Sequence, residues 1–153
     1  NIDEHDEHLI ELWNSQVDIG DTIYILGDMF LCSKGKMRSI LPRLNGKKHL
    51  IRGNHDHTLV KEVSGSDYFE EIVDYKIFRK DGFSAVLFHF PILEWDGIHR
   101  GFFHLHGHTH GSVQMEGRAL DVGIDNRVGG DMKFWEWGGI VEWMEGRGIR
   151  GRY

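Results

Sequence analysis

A chain of 153 residues, 40% hydrophobic and 27% charged, can bury a core and has the composition of a water-soluble globular protein. Its net charge of −6 argues against a nucleic-acid grip built on broad electrostatics, and no apolar run approaches the roughly 20 residues that span a bilayer. The one cysteine, Cys32, excludes an intramolecular disulfide and a cysteine-built metal site, and reads as a small buried hydrophobe.

From the N-terminus, "DEHDEHLIELWNSQV" sets Leu9, Ile10, Leu12, Trp13 and Val17 behind an acidic start, the pattern of an amphipathic helix. "DTIYILGD" is a short β-branched run ending in Gly27-Asp28 and reads as a buried strand. "KGKMRSILPRL" predicts a helix whose last turn Pro42 weakens, Asn45-Gly46 a turn, "KKHLIRG" a second strand and "TLVKEV" a helix. Then "EEIVDYKIFRK", "FSAVLFHF", "GFFHLHGH", "SVQME" and "ALDVGI" read as strands between Gly and Asp turns. Residues 138–146 predict a short helix, and the tail "GRGIRGRY" is expected to be poorly ordered. The order suits one α/β domain over residues 1–153, with two packed sheets flanked by helices.

Residues able to hold a metal recur at strand ends: Asp28, then Asn54 and His55, then His89, then His108 and His110. In open α/β sheets, sites form beyond the carboxyl ends of strands, where several loops meet. The donors are oxygen and nitrogen without sulfur, which suits Mn, Fe, Zn or a similar ion. His104, His106, His108 and His110 fall at every second position and would share one face of an extended strand. They cannot all ligate, so His104 and His106 are read as packing residues or as supports behind the ligands. His57 and His99 are read as exposed loop residues and His49 as an ordinary strand residue. Trp95 is expected to pack the loop after His89, and Trp135, Trp137 and Trp143 to lie in the core or an interface.

The motifs "GD" at 27–28, "GNHD" at 53–56, "HFP" at 89–91 and "GHTH" at 107–110, in that order, resemble the calcineurin-like metallophosphoesterases. "GKKHLIRGNHD", Trp95 after "HFP", and "FHLHGHTHG" leading to "LDVGIDN" are similar to the small bacterial and phage-type members, over residues 3 to about 126. The resemblance implies an α/β/β/α sandwich of two mixed sheets. It implies two divalent metal ions (Mn, Fe, Zn or Ni), with Asp28 bridging, Asn54, His89 and His108 completing one site, and His110 serving the other. His55 would be the acid for the leaving group. Asp56 would hold its neighbours in place, and Arg52 is a candidate to steady the phosphate, with a structural ion pair the alternative. The implied activity is hydrolysis of phosphomonoesters or phosphodiesters by hydroxide held at a dinuclear site. A nuclease, a cyclic-nucleotide phosphodiesterase and a non-catalytic metal-binding domain are the rival readings. The partner is a phosphate ester, with a nucleotide or nucleic acid left open, no membrane is expected, and the expected location is cytoplasmic.

The family's first motif, Asp-x-His on a strand near the N-terminus, has no counterpart here. Asp3-Glu4-His5 and Asp6-Glu7-His8 match its letters but follow no apolar run, so they are expected on a solvated helix face. By this reading the chain begins partway through the domain. Gly123-Ile124-Asp125-Asn126 resembles a family turn and is given no catalytic role.

Overall fold

The structure, a computed structural model, describes residues 2–28, 34–124 and 133–151, so Cys32, Asp125 and Asn126 lie outside the described residues. It is a mixed α/β fold with two sheets and, among the described residues, four α-helices. By chain contacts it divides into two compact units, Asn1–Ile72 and Val73–Tyr153. None of the described helices is long and apolar enough to cross a membrane.

In the first unit, helix α1 (Ile2–Gln16) turns its apolar side inward through Ile10 and Trp13. Strands β1 (Thr22–Ile25) and β2 (Lys47–Ile51) pair in parallel, Ile25 opposite Leu50, and β3 (Glu71–Val73) adds to the far side of β2. Leu50 joins Ile10, Met37, Ile40, Leu41, Leu44, Leu59 and Val63 in one core, which also takes in residues of α2 (Lys34–Ile40) and α3 (His57–Val63). Burying each such side chain is worth roughly 1.5–3 kcal/mol. As Pro42 predicts, α2 stops at Ile40 and the chain tightens into a 3-10 turn over Leu41–Arg43. On the other face of β2, His49 Nδ1 donates to the Glu71 carboxylate at 2.9 Å, and the ring stacks on Tyr24 at 4.5 Å. The Asp-Glu-His triplets sit on α1: Asp3 and Asp6 pair with Lys36, Glu7 with Arg43, and His5 and His8 are exposed.

In the second unit, β4 (Tyr75–Lys80) and β5 (Phe83–Phe88) form a hairpin through Asp81-Gly82, both at positive φ as a two-residue hairpin turn requires. Strands β6 (Phe103–His106) and β7 (Ala119–Asp121) extend it in parallel, in the order β4-β5-β6-β7. Val86, Trp95, Ile98 and Ala119 are its buried apolar cluster, and helix α4 (Trp137–Glu145) sets Trp137 edge-on to Phe78 at 5.0 Å. Trp95 packs as expected, buried, with its indole N–H donating to the Phe102 carbonyl at 2.8 Å.

Four expectations need correction. The run "EEIVDYKIFRK" is two strands in different sheets, broken at Asp74, a residue type that strands disfavour. "SVQME" is not a strand; Gly111 and Gly117, both at positive φ, turn the chain on either side of it. The segment 146–151 is held down: Arg147 donates to the Gly117 and Met115 carbonyls at 2.7 Å, and Arg150 to the Leu93 carbonyl and Glu94. His99 is half-buried in a 3-10 turn, where its Nδ1 donates to the Arg150 carbonyl at 2.8 Å.

Candidate metal centre

Because β1 and β2 run parallel, the loops that leave their carboxyl ends emerge at one edge of the first sheet. Gly27 and Asp28 leave β1 with left-handed backbone, φ 93° and 53°. For a residue with a Cβ that conformation costs roughly 1–2 kcal/mol, and Asp is among the few types that adopt it. Gly53, Asn54, His55 and Asp56 leave β2. Asp56 is fully buried, and one oxygen of its carboxylate accepts the N–H groups of both Asp28 and Gly53, each at 2.7 Å. Asp56 occupies the residue before α3 yet makes no side-chain capping bond to it; its carboxylate faces the two loops instead. In return, the His55 N–H donates to Asp28 Oδ1 at 2.9 Å. A Cβ on Gly53 would lie 2.6 Å from Asp28 N and would also strike Asp28 Oδ1, so only glycine lets the two loops approach this closely. Arg52, Asn54 and His55 are exposed beside this brace.

The parallel strands β5, β6 and β7 repeat the arrangement in the second unit. His89 follows β5 directly, is buried, and its carbonyl accepts Gly107 N–H at 2.9 Å. Beyond β6, His108 and His110 are exposed, at φ 68° and 50°. The rings of His89 and His108 lie 5.1 Å apart at 70°. Thr109, between the two left-handed histidines, donates its hydroxyl to Asp121 Oδ2 at 2.6 Å, and Gly111 N–H joins the same oxygen at 3.1 Å. Asp121 Oδ1 accepts Gly123 N–H at 2.9 Å, so the carboxylate that ends β7 straps the whole histidine loop.

The four alternate histidines do not share one strand face. The strand ends at His106, and the left-handed turns at His108 and His110 break the alternation. His104 and His106 are buried, while His108 and His110 are exposed on the loop. His104 Nδ1 donates to the Val86 carbonyl at 3.0 Å and its Nε2 accepts Ile92 N–H at 2.9 Å, which fixes the neutral tautomer. Burial pushes its pKa down to about 4, against the opposing pull of the Val86 bond. Its ring lies against Trp95 and His106, and it pins the segment after His89 to the sheet.

As donors, Asp28, His89 and His108 are a group that could hold a metal ion: one carboxylate and two imidazoles, a set suited to a borderline divalent cation. Asp28 and His108 of this set sit in left-handed backbone, at φ 53° and 68°.

No model of a known protein family matches the chain. It is 32% identical to the Gene 66 protein of Mycobacterium phage D29, over 80% of this chain and 76% of that protein. The chain belongs to the family of these Gene 66 proteins. The Gene 66 protein of Mycobacterium phage L5 is 31% identical, over 82% and 75% of the two chains. The uncharacterized protein MJ1445 of Methanocaldococcus jannaschii is also 31% identical, over 82% and 68%. A crystal structure of a protein of unknown function from Aquifex aeolicus, AQ665, superposes with a TM-score of 0.51 at 27% identity, over 72% of this chain and 67% of that one.

In this Gene 66 family chain, Asp121 adjoins the candidate site through the loop it holds, although none of the sequence motifs includes it. The signal was present, since Asp121 ends the run "ALD" as Asp28 follows "TIYILG", a carboxylate just where a strand stops. Phe90, inside the "HFP" motif, adjoins the candidate site as well: its ring lies 4.9 Å from that of His89 and 4.7 Å from that of His108.

Proposed function

We propose that this chain is a metal-dependent phosphoesterase of the calcineurin-like kind. Asp28, Asn54, His89 and His108 would hold one divalent cation, and Asp28 with His110 would contribute to a second. The observation that carries this reading is where the strained backbone falls. Among the described residues, four that are not glycine have positive φ. One is Asp81 in a hairpin turn; the other three are Asp28, His108 and His110, all metal-competent and all just beyond strand ends. Strain of this kind persists where the surrounding structure holds it, and it clusters at functional sites.

When bound, divalent cations lower the pKa of a coordinated water and neutralise charge on phosphoryl oxygens. The rest falls to the chain. Asp56 fixes the two loop backbones, and the His55 N–H orients the Asp28 carboxylate. Asp121 fixes the loop that carries His108 and His110. The His55 imidazole, exposed beside Asn54, is assigned as the acid that donates its N–H proton to the departing ester oxygen, a contribution of roughly 10²–10⁴-fold. Arg52, exposed on the same loop, is a candidate donor to a phosphate oxygen.

The test is hydrolysis of p-nitrophenyl phosphate and of its bis ester, with and without Mn²⁺. Turnover that requires Mn²⁺ and drops at least 10²-fold in His55→Ala, with Mn²⁺ binding unchanged, is the expected result. No Mn²⁺-dependent turnover of either ester defeats the assignment, and the ratio of the two rates separates monoesterase from diesterase.

A further inference from the structure

We propose that Phe90 determines specificity by stacking on a planar aromatic group of the ester, so that the preferred substrates are nucleoside or aryl phosphates rather than sugar or alkyl phosphates. This rests on the phosphoesterase reading above. Phe90 is 37% exposed although it sits beside the buried His89. Its ring neighbours among the described residues are His89, His108 and Phe88, at 78°, 63° and 59°, so no ring lies parallel on it. Phe88 in turn meets Tyr75, its cross-strand partner, at 6.3 Å, and Tyr75 is 44% exposed.

Tyr75, Phe88 and Phe90 therefore form a continuous line of rings that ends on two imidazoles and reaches solvent at both ends. The same sheet buries Phe103 completely, so its core does not lack places for aromatic rings. A phosphate bound through its oxygens to a cation held by His89 and His108 would bring its organic group within reach of the Phe90 ring. Stacking reads a flat π-surface and not hydrogen-bonding edges, so the preference is for aromatic groups as a class. The net charge of −6 offers no broad positive field for a long phosphate backbone, which favours one nucleotide-sized group.

The experiment is titration calorimetry in Mn²⁺ buffer with three probes: AMP, phenyl phosphate and ribose 5-phosphate. Wild type, Phe90→Leu and Phe90→Tyr are compared, with circular dichroism reporting their folding. The expected result is that AMP and phenyl phosphate bind wild type about 5- to 10-fold more tightly than ribose 5-phosphate, the low end for an aromatic stack. Phe90→Tyr keeps that preference and Phe90→Leu removes it. AMP tighter than phenyl phosphate identifies a nucleobase, and equal affinities identify aryl groups in general; both support the proposal. Equal affinity of wild type for all three probes overturns it, a comparison that holds even if Phe90→Leu fails to fold. A folded Phe90→Leu that keeps the preference overturns it as well. Mn²⁺-dependent hydrolysis of p-nitrophenyl phosphate alongside equal probe affinities sinks this inference alone, whereas no Mn²⁺-dependent hydrolysis of any ester sinks the phosphoesterase reading with it.

Discussion

Replacing Asp56 with alanine should loosen the first half of the site more than any other change outside the donor set. The carboxylate has no exposed surface, and it accepts two backbone N–H groups at 2.7 Å, one from each strand-end loop. A hydrogen bond to a charged acceptor contributes roughly 1.5–3 kcal/mol, which gives about 3–6 kcal/mol for two. Asp28 is half-buried, so its freed N–H can regain water, whereas that of the buried Gly53 cannot. The expected loss is therefore about 3–4 kcal/mol. Asp56→Asn keeps the shape and one accepting oxygen but not the charge, and should cost roughly half as much. Equilibrium unfolding in urea, followed by tryptophan fluorescence, measures both as shifts in midpoint at constant slope. Because Asp28 is steered by this brace, Mn²⁺ affinity should also fall about 10- to 100-fold in Asp56→Ala. A variant within 1 kcal/mol of wild type, with Mn²⁺ affinity intact, would refute the claim that Asp56 ties the two loops.

Gly53→Ala places a Cβ 2.6 Å from Asp28 N and should cost roughly 1–3 kcal/mol, seen as a lower melting temperature; an unchanged melt would contradict the close approach of the loops. His108→Gly relieves a left-handed φ of 68° worth roughly 1–2 kcal/mol, against about 0.5–1 kcal/mol of added chain entropy. It should melt at or slightly above the wild-type temperature while Mn²⁺ binding falls, and a clear drop in melting temperature would argue against stored strain. His104, neutral when folded with a pKa of about 4, picks up its proton near 6.5 once unfolded. The unfolded state binds the extra proton between those values, so this stability is complete above pH 6.5 and is lost as pH falls toward 4, by about 3 kcal/mol. Urea midpoints measured across that range should decline in wild type and flatten in a folded His104→Gln variant; parallel profiles would remove His104 as the cause.

Much of the fold could be read from the sequence wherever one periodicity ran to a clear stop. Gly27-Asp28 and Gly53-Asn54 ended apolar β-branched runs, and both runs are strands. The failures lie where local pattern was overruled by contacts distant in the chain. "SVQME" alternates like a strand but gains no ladder, and the arginines of the Gly-rich tail find carbonyls about 30 and 57 residues away. The histidine repeat misled because period 2 holds only while the strand continues, and backbone handedness at His108 and His110 is not written in residue type. Asp121 was overlooked for the complementary reason: its bonds go to Thr109, Gly111 and Gly123, and no motif links a carboxylate to a loop through its neighbour's hydroxyl.

The proposed activity requires one carboxylate and two imidazoles to share an ion. Diffraction from crystals grown with Mn²⁺, collected at the manganese edge, tests this directly. An anomalous peak is expected at bonding distance, about 2.0–2.3 Å, from an Asp28 oxygen and from ring nitrogens of His89 and His108. A map with no peak at those side chains, or with manganese bound only by other residues, would contradict it.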